Sequence, residues 1–191
     1  MEGDGRLDRI LGFMVEADKL KAVKRTGWVI SGIRNPEHVG DHSYGTALLA
    51  YMFAKRMGLD ADKCAIMGVI HDINEVITGD IATRLDKRKQ KVPDAAKKRL
   101  QRRSELKMLS YLGASDRKHL RKLLDELHEC KSREARLVKQ VDKLEWVIQL
   151  VAYHKHMKKE RVEEFILNAE RKVDLPELRY IIEKVRRQVN R

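Results

Sequence analysis

At 191 residues, with three prolines and 5% aromatics among abundant Ala, Leu, Lys, Arg and Glu, the chain is long enough for one compact domain and too short to expect two, and its composition favours helices throughout. Lys and Arg outnumber Asp and Glu by 41 to 29, for a formal charge of +12, which favours an anionic partner or substrate: a nucleotide, a nucleic acid or an acidic membrane. No apolar run is long enough to span a bilayer, and Met1-Glu2-Gly3-Asp4-Gly5 lacks the basic and apolar regions of a signal peptide, so a soluble, cytoplasmic protein without a membrane partner is expected.

Residues 6–24 place Leu7, Ile10, Leu11, Met14, Val15 and Leu20 at helical spacing. The pattern predicts a first helix that packs this stripe inward and keeps Asp8, Lys19 and Lys21 wet. Lys24 to Ile33 holds two glycines and Trp28 and reads as a loop crossing the protein, of the kind that lines sites. Asp41 is placed to N-cap a helix running to about Met57, with Tyr44, Leu48, Tyr51 and Met52 available to the core, His42 in its first turn and Gly58 as its stop. The next helix, about Ala61 to Ile77, carries Cys64, Ile66, Met67, Val69, Ile70 and Ile73. It is apolar on so many sides that it is expected to be the central buried helix.

Thr78-Gly79-Asp80 ends that helix. Ile81 to Val92, with Arg84, Lys87, Arg88, Lys89 and Lys91, is a basic segment and the candidate for a mobile lid, after which Pro93 starts a helix to about Leu112. Ser115 or Asp116 is placed to cap another, to about Cys130. Glu134 to about His156 is a long helix with Leu137, Val141, Leu144, Ile148 and Val151 inward and Asp142 at the rim of that stripe. Arg161–Arg171 and Leu175–Val189 supply two last helices, the second begun by Pro176. The basic run from Arg84 to Arg103 has few aromatics to stack bases and reads as a solvated face. His119, His128, His154 and His156 take surface or packing roles, and Cys64 and Cys130, without metal-finger spacing, are reduced thiols.

One stretch resists a packing explanation. In Val69-Ile70-His71-Asp72-Ile73-Asn74-Glu75 an apolar helix face ends in an imidazole and two carboxylates, and burying a carboxylate is costly unless a partner or a metal compensates it. On a helix His71 and Asp72 diverge by about 100 degrees, so one ion meets both only at the helix edge and takes the rest of its shell from elsewhere. His42, in a first turn, and Asp142, on a later inward-facing helix, are suitable donors. Two His and two Asp suit a divalent first-row metal with open positions for water and substrate. Glu75 lies three and four residues beyond Asp72 and His71, on the face that reaches toward water activated by such an ion. Glu145 faces inward, either to orient a ligand or to pair with a buried Arg.

Four stretches in order, Pro36-Glu37-His38-Val39-Gly40-Asp41-His42-Ser43, His71-Asp72-Ile73-Asn74-Glu75, Thr78-Gly79-Asp80-Ile81 and Val141-Asp142-Lys143-Leu144-Glu145, are similar to the successive motifs of HD-superfamily phosphohydrolases. The branch resembled is that of the 5'-deoxynucleotidases, which also carries a Lys-Arg-Thr-Gly-Trp-like stretch upstream, here Lys24 to Trp28. The likeness runs from about Lys24 to Leu150. It implies an all-α, compact HD-domain bundle, usually dimeric, spanning residues 1–191 as one domain with C-terminal helices at about 159–190 packed on the motif core. It further implies that His42, selected over nearby His38 by the Asp-His-Ser pattern, holds one divalent ion (Mn, Co, Fe, Ni or Zn) with His71, Asp72 and Asp142. Glu75 matches the family's catalytic glutamate, and Asp80 a second acidic residue near the attacking water or leaving oxygen. Arg25 matches a phosphate-binding arginine, and Trp28 a residue near the sugar and base.

The implied reaction is hydrolysis of the 5'-phosphomonoester of a (deoxy)nucleoside monophosphate to nucleoside and phosphate. Two other readings use the same residues or charge: an HD phosphohydrolase acting on a nucleoside polyphosphate, a cyclic nucleotide or a nucleic-acid phosphate, and a basic nucleic-acid-binding module on an HD scaffold. Phosphate release that stops with a chelator separates the enzyme from salt-sensitive nucleic-acid binding.

Overall fold

The computed structural model describes residues 5–82 and 92–190. Among them the chain forms ten α-helices and no strand, apart from an isolated antiparallel bridge between Lys24 and His38. These are α1 (Gly5–Asp18), α2 (Thr26–Ile30), α3 (Val39–Met57), α4 (Ala61–Ile70), α5 (Glu75–Thr78), α6 (Asp94–Leu109), α7 (Ala114–Glu129), α8 (Arg133–Tyr153), α9 (Lys159–Glu170) and α10 (Pro176–Val189). Of the basic segment expected to form a lid, residues 83–91 lie outside the described residues.

The axis of the fold is α8. Ser132 starts it by accepting the Ala135 N–H at 3.0 Å, and Leu137, Val141, Leu144, Val147 and Leu150 are all buried, whereas Ile148 of the expected stripe reaches the surface. The helix touches α3, α4, α7, α9 and α10, so the central position expected for residues 61–77 belongs to α8 instead. That segment is two helices rather than one. Asp60 caps α4 by accepting the Lys63 N–H at 2.9 Å, the helix ends at Ile70, and α5 begins at Glu75 after a turn. Cys64, Met67, Ile70 and Ile73 enter the core, while Ile66 and Val69 face outward.

The inward face of α3 also differs from expectation. Val39, His42, Ser43, Thr46, Ala47, Ala50 and Ala54 are buried, whereas Tyr44, Leu48, Tyr51 and Met52 are exposed. The reason is the close approach of α4: a Cβ added at Gly68 would stand 2.6 Å from Ala47 Cα, so only small side chains fit between the two helices. The apolar stripe of α1 points outward as well, with Leu7, Leu11, Met14 and Val15 exposed and only Leu20, in the 3-10 turn that follows, buried. The expected loop at 24–33 contains the short α2. Asp41 is not the N-cap of α3 but lies in its first turn, where its carboxylate accepts the N–H of the capping His38 at 2.8 Å. Gly113 precedes α7 in place of Ser115 or Asp116. Gly58 closes α3 at φ 65°, Pro93 precedes α6 and Pro176 opens α10.

Candidate metal centre and cleft

The break after Ile70 brings His71 and Asp72 to one point. Adjacent residues of an unbroken helix would diverge, but in the turn His71 Nε2 lies 3.1 Å from Asp72 Oδ2. From α3, the fully buried His42 presents Nε2 at 3.2 Å from His71 Nε2 and 3.9 Å from Asp72 Oδ2. From α8, Asp142 Oδ1 reaches the same nitrogen at 3.4 Å. The structure thus gathers all four sequence-predicted ligands from three separate segments.

The hydrogen bonds on the far side of each ring decide what this cluster can hold. His71 Nδ1 donates to the Gly68 carbonyl at 2.8 Å. His42 Nδ1 faces the Glu145 carboxylate, which when ionised only accepts. A proton on each Nδ1 leaves the two Nε2 atoms as bare acceptors facing one another and two carboxylates, an arrangement that a bound cation relieves. Without a cation, a proton is drawn to the same place. Burial and the nearby Arg25 oppose charge on His42, yet hydrogen bonds to Asp142 and Glu145 outweigh them and carry its pKa up to about 9. Burial likewise opposes charge on Asp72 and Asp142, but His71 and Arg25 around the first, and Lys143 and His42 around the second, hold both carboxyls well below the usual range. The donor set and its outer hydrogen bonds fit one divalent cation. Glu145 therefore orients a candidate ligand, the first of its two expected roles, and Gly45 makes room for it: a Cβ there would meet Glu145 Oε1 at 2.9 Å.

Beside this cluster, Arg25 extends its guanidinium to 3.5 Å from Asp72 and 3.8 Å from Asp80. Burial works against its charge, but Asp80, Asp72 and Glu75 hold it protonated. Asp80 also accepts the Thr26 N–H at 2.8 Å, and the Thr26 hydroxyl donates to the Asp80 carbonyl at 2.6 Å, which ties the start of α2, and Arg25 with it, to the site. Glu75 is buried, and its Oε2 has no hydrogen-bond partner among the described residues. Trp28 takes a packing position: it is 1% exposed, its indole N–H donates to Glu37 at 2.7 Å, and its ring stacks on Phe165 with centroids 4.4 Å apart.

Arg25, Trp28, Asp72, Glu75, Asp80 and Asp142 line an open cleft of about 140 Å³, together with residues to which the sequence assigned no role: Lys143, Trp146, Arg161, Phe165, Asn168 and Lys172. A signal existed for the first two. Lys143 lies inside the Asp142 motif, and Trp146 is four residues beyond Asp142 and so on the same face of α8. Arg161, Phe165, Asn168 and Lys172 come from α9 and the turn after it, where sequence shows only an amphipathic helix.

A helical bundle with a two-His, two-Asp cluster set in a turn and two flanking helices defines an HD-type domain, and the chain belongs to that family: residues 17–179 match the HD domain model. It is 34% identical over 173 residues to the 5'-deoxynucleotidase HDDC2 of Danio rerio, covering 90% of this chain and 84% of that protein. With the Homo sapiens 5'-deoxynucleotidase HDDC2 the identity is 32% over 177 residues, covering 92% and 84%. Among solved structures, a conserved hypothetical protein from Pyrococcus furiosus aligns with a TM-score of 0.68 at 31% identity, over 93% of this chain and 99% of that one.

Proposed function

We propose that this chain is a metal-dependent 5'-nucleotidase that hydrolyses deoxynucleoside monophosphates to nucleoside and inorganic phosphate. One observation carries the reading: a cluster of four acceptors suited to a cation shares a cleft with a buried, permanently charged arginine and a carboxylate whose oxygen lacks a partner. The relatives named 5'-deoxynucleotidase, aligned over most of their length, supply the substrate class.

In this reading His42, His71, Asp72 and Asp142 hold one divalent ion. When bound, the ion supplies positive charge that lowers the pKa of water and neutralises phosphate oxygens. Arg25 binds the phosphate through its planar fork of N–H donors, and Asp80 holds that fork in place. Glu75 accepts a proton at its free oxygen from the attacking water. The new P–O bond forms as the bond to the 5'-oxygen breaks, and Glu75 passes the proton it accepted to that oxygen as the nucleoside leaves. Glu145 keeps His42 turned toward the ion.

The two free cysteines, Cys64 buried and Cys130 exposed, support a reducing, cytoplasmic setting; burial pushes the Cys64 thiol up to about 12, so it stays protonated. No described helix is long and apolar enough to cross a membrane. The outward apolar side chains of α1 and α3 support a homodimer.

A phosphate-release screen of deoxy- and ribonucleoside monophosphates, diphosphates and triphosphates against several divalent metals tests the function. Deoxynucleoside monophosphates are expected to be cleaved, a chelator to stop release and added metal to restore it, with Asp72→Ala inactive throughout. Release that survives both chelation and Asp72→Ala, or salt-sensitive nucleic-acid binding without hydrolysis, would overturn it.

A further inference from the structure

We infer that Trp146, on the cleft wall it shares with Asn168, forms the nucleobase platform of this site, in the place that sequence resemblance gave to Trp28. The inference rests on the nucleotidase reading and assigns it a specificity residue. Trp28 has no free surface for a base. Phe165 covers one face at an interplanar angle of 4°, Tyr153 packs edge-on at 5.1 Å, and the indole N–H is spent on Glu37.

Trp146 differs on each count. Both residues line the cleft, but Trp146 is only half-buried and meets Phe165 only edge-on, with centroids 5.9 Å apart at 84°. Its ring is attended by the ammonium groups of Lys143, which also pairs with Asp142 at 2.5 Å, and of Lys172, at 5.0 and 5.7 Å, so positive charge suited to a nucleotide's phosphate stands beside it. Its N–H has no acceptor among the described residues, and the buried Asn168 has no donor for its Oδ1. Buried polar groups left without partners are uncommon and call for a ligand or water.

The exposed part of the indole on the cleft wall matches what a base offers. Its π-face stacks on the indole, and its edge carries both acceptors and N–H donors. Because Trp146 stands four residues from Asp142 on α8, a base on this ring lies on the same side of the cleft as the candidate ion. Stacking tolerates any base, so broad base acceptance with a preference for the larger purine surface is expected.

The test compares a deoxynucleoside 5'-monophosphate with 2-deoxyribose 5-phosphate, which keeps the scissile bond and lacks the base. With the metal-loaded enzyme, Trp146→Leu is expected to lower kcat/KM for the nucleotide roughly 5- to 150-fold, mainly through KM, the range that base–aromatic stacking supplies. Hydrolysis of the sugar phosphate stays unchanged, and Trp146→Phe recovers most of the loss. An undiminished rate on the nucleotide, or an equal fall on both substrates, overturns the assignment and leaves the nucleotidase reading standing; hydrolysis of neither by the wild-type enzyme removes both. Should Trp146→Leu not fold, quenching of tryptophan fluorescence in the wild-type protein by a deoxynucleoside decides the question. Saturable quenching supports the platform, since the buried Trp28 offers no stacking face, and its absence at nucleoside concentrations well above the nucleotide KM overturns it.

Discussion

Glu75 shows how much stability one residue of this site gives up. Its carboxyl is buried with one oxygen unpartnered, and burial, then the charges of Asp72 and Asp80, push its pKa well above the ordinary value. The folded protein therefore keeps this proton to a higher pH than the unfolded chain does. The contribution of Glu75 to stability is full below its unfolded pKa and is lost as the pH rises through the raised folded value. Glu75→Gln keeps the shape and removes the titration. In metal-free protein it is expected to melt several degrees above wild type at about pH 8, with the two midpoints converging below about pH 4. In the metal-loaded enzyme the same substitution should lower turnover by roughly 10²- to 10⁴-fold, the share a positioned base contributes. Thermal melts across pH and phosphate-release rates check the two halves, and a variant both less stable at pH 8 and fully active would sink the role. At this scale sequence was informative because ligand chemistry is tied to residue type: His42, His71, Asp72 and Asp142 stood out as candidate donors from their residue types and motifs, and the fold brings them together. Phe165 and Asn168 did not stand out, because an aromatic or an amide on a helix looks the same whether it meets a core or a cleft, and Trp146 had only its helical phase with Asp142 to mark it.

Helices were legible as elements, but their facing was not. Periodicity found α3 and placed Tyr44, Leu48 and Met52 inward, since large apolar residues ordinarily fill a core. What decides the matter is a property of two helices at once. The alanines of α3 and Gly68 of α4 let the backbones approach, and that approach sets His42 within reach of His71. A residue pattern on one helix carries no record of how near its neighbour comes. The break after Ile70 is similarly invisible, because His71 to Asn74 contains neither Gly nor Pro to punctuate it. Gly68→Ala tests the close packing. Its Cβ would meet Ala47 backbone at 2.6 Å, so the helices must separate, with an expected loss of about 1–3 kcal/mol and weaker metal binding as His42 withdraws from His71. Gly113→Ala is the control: nothing lies within 4 Å of the added atom, and the loss of a glycine N-cap costs only about 0.5 kcal/mol. Chemical denaturation and metal titration of the two variants give the comparison, and equal stabilities would show that the contact is not limiting.

For the whole molecule, the unexplained feature is an apolar exterior on a strongly basic chain. Leu7, Leu11, Met14 and Val15 on α1, and Tyr44, Leu48 and Met52 on α3, are each half or more exposed, although α3 carries His42 on its opposite, buried face. The homodimer proposed above would cover these stripes with a second copy of the chain. Its formation sets two terms against each other: burial of apolar area, which salt leaves nearly untouched, and repulsion between copies that each carry +12, which salt screens over about 8–10 Å at physiological strength. The sign of the salt response therefore reports which term binds. Sedimentation equilibrium is expected to give a dimer whose dissociation constant falls as salt rises from low to physiological strength, whereas a dimer held by surface ion pairs would weaken over the same range. Leu11→Glu and Leu48→Glu, each placing a charge in one stripe, then locate the interface. The variant that yields monomers identifies the buried helix, and if it is Leu48→Glu, lost association should be accompanied by altered metal affinity, because α3 also positions His42. Wild-type protein sedimenting as a monomer at all salt concentrations would leave both stripes unpaired and refute the dimer.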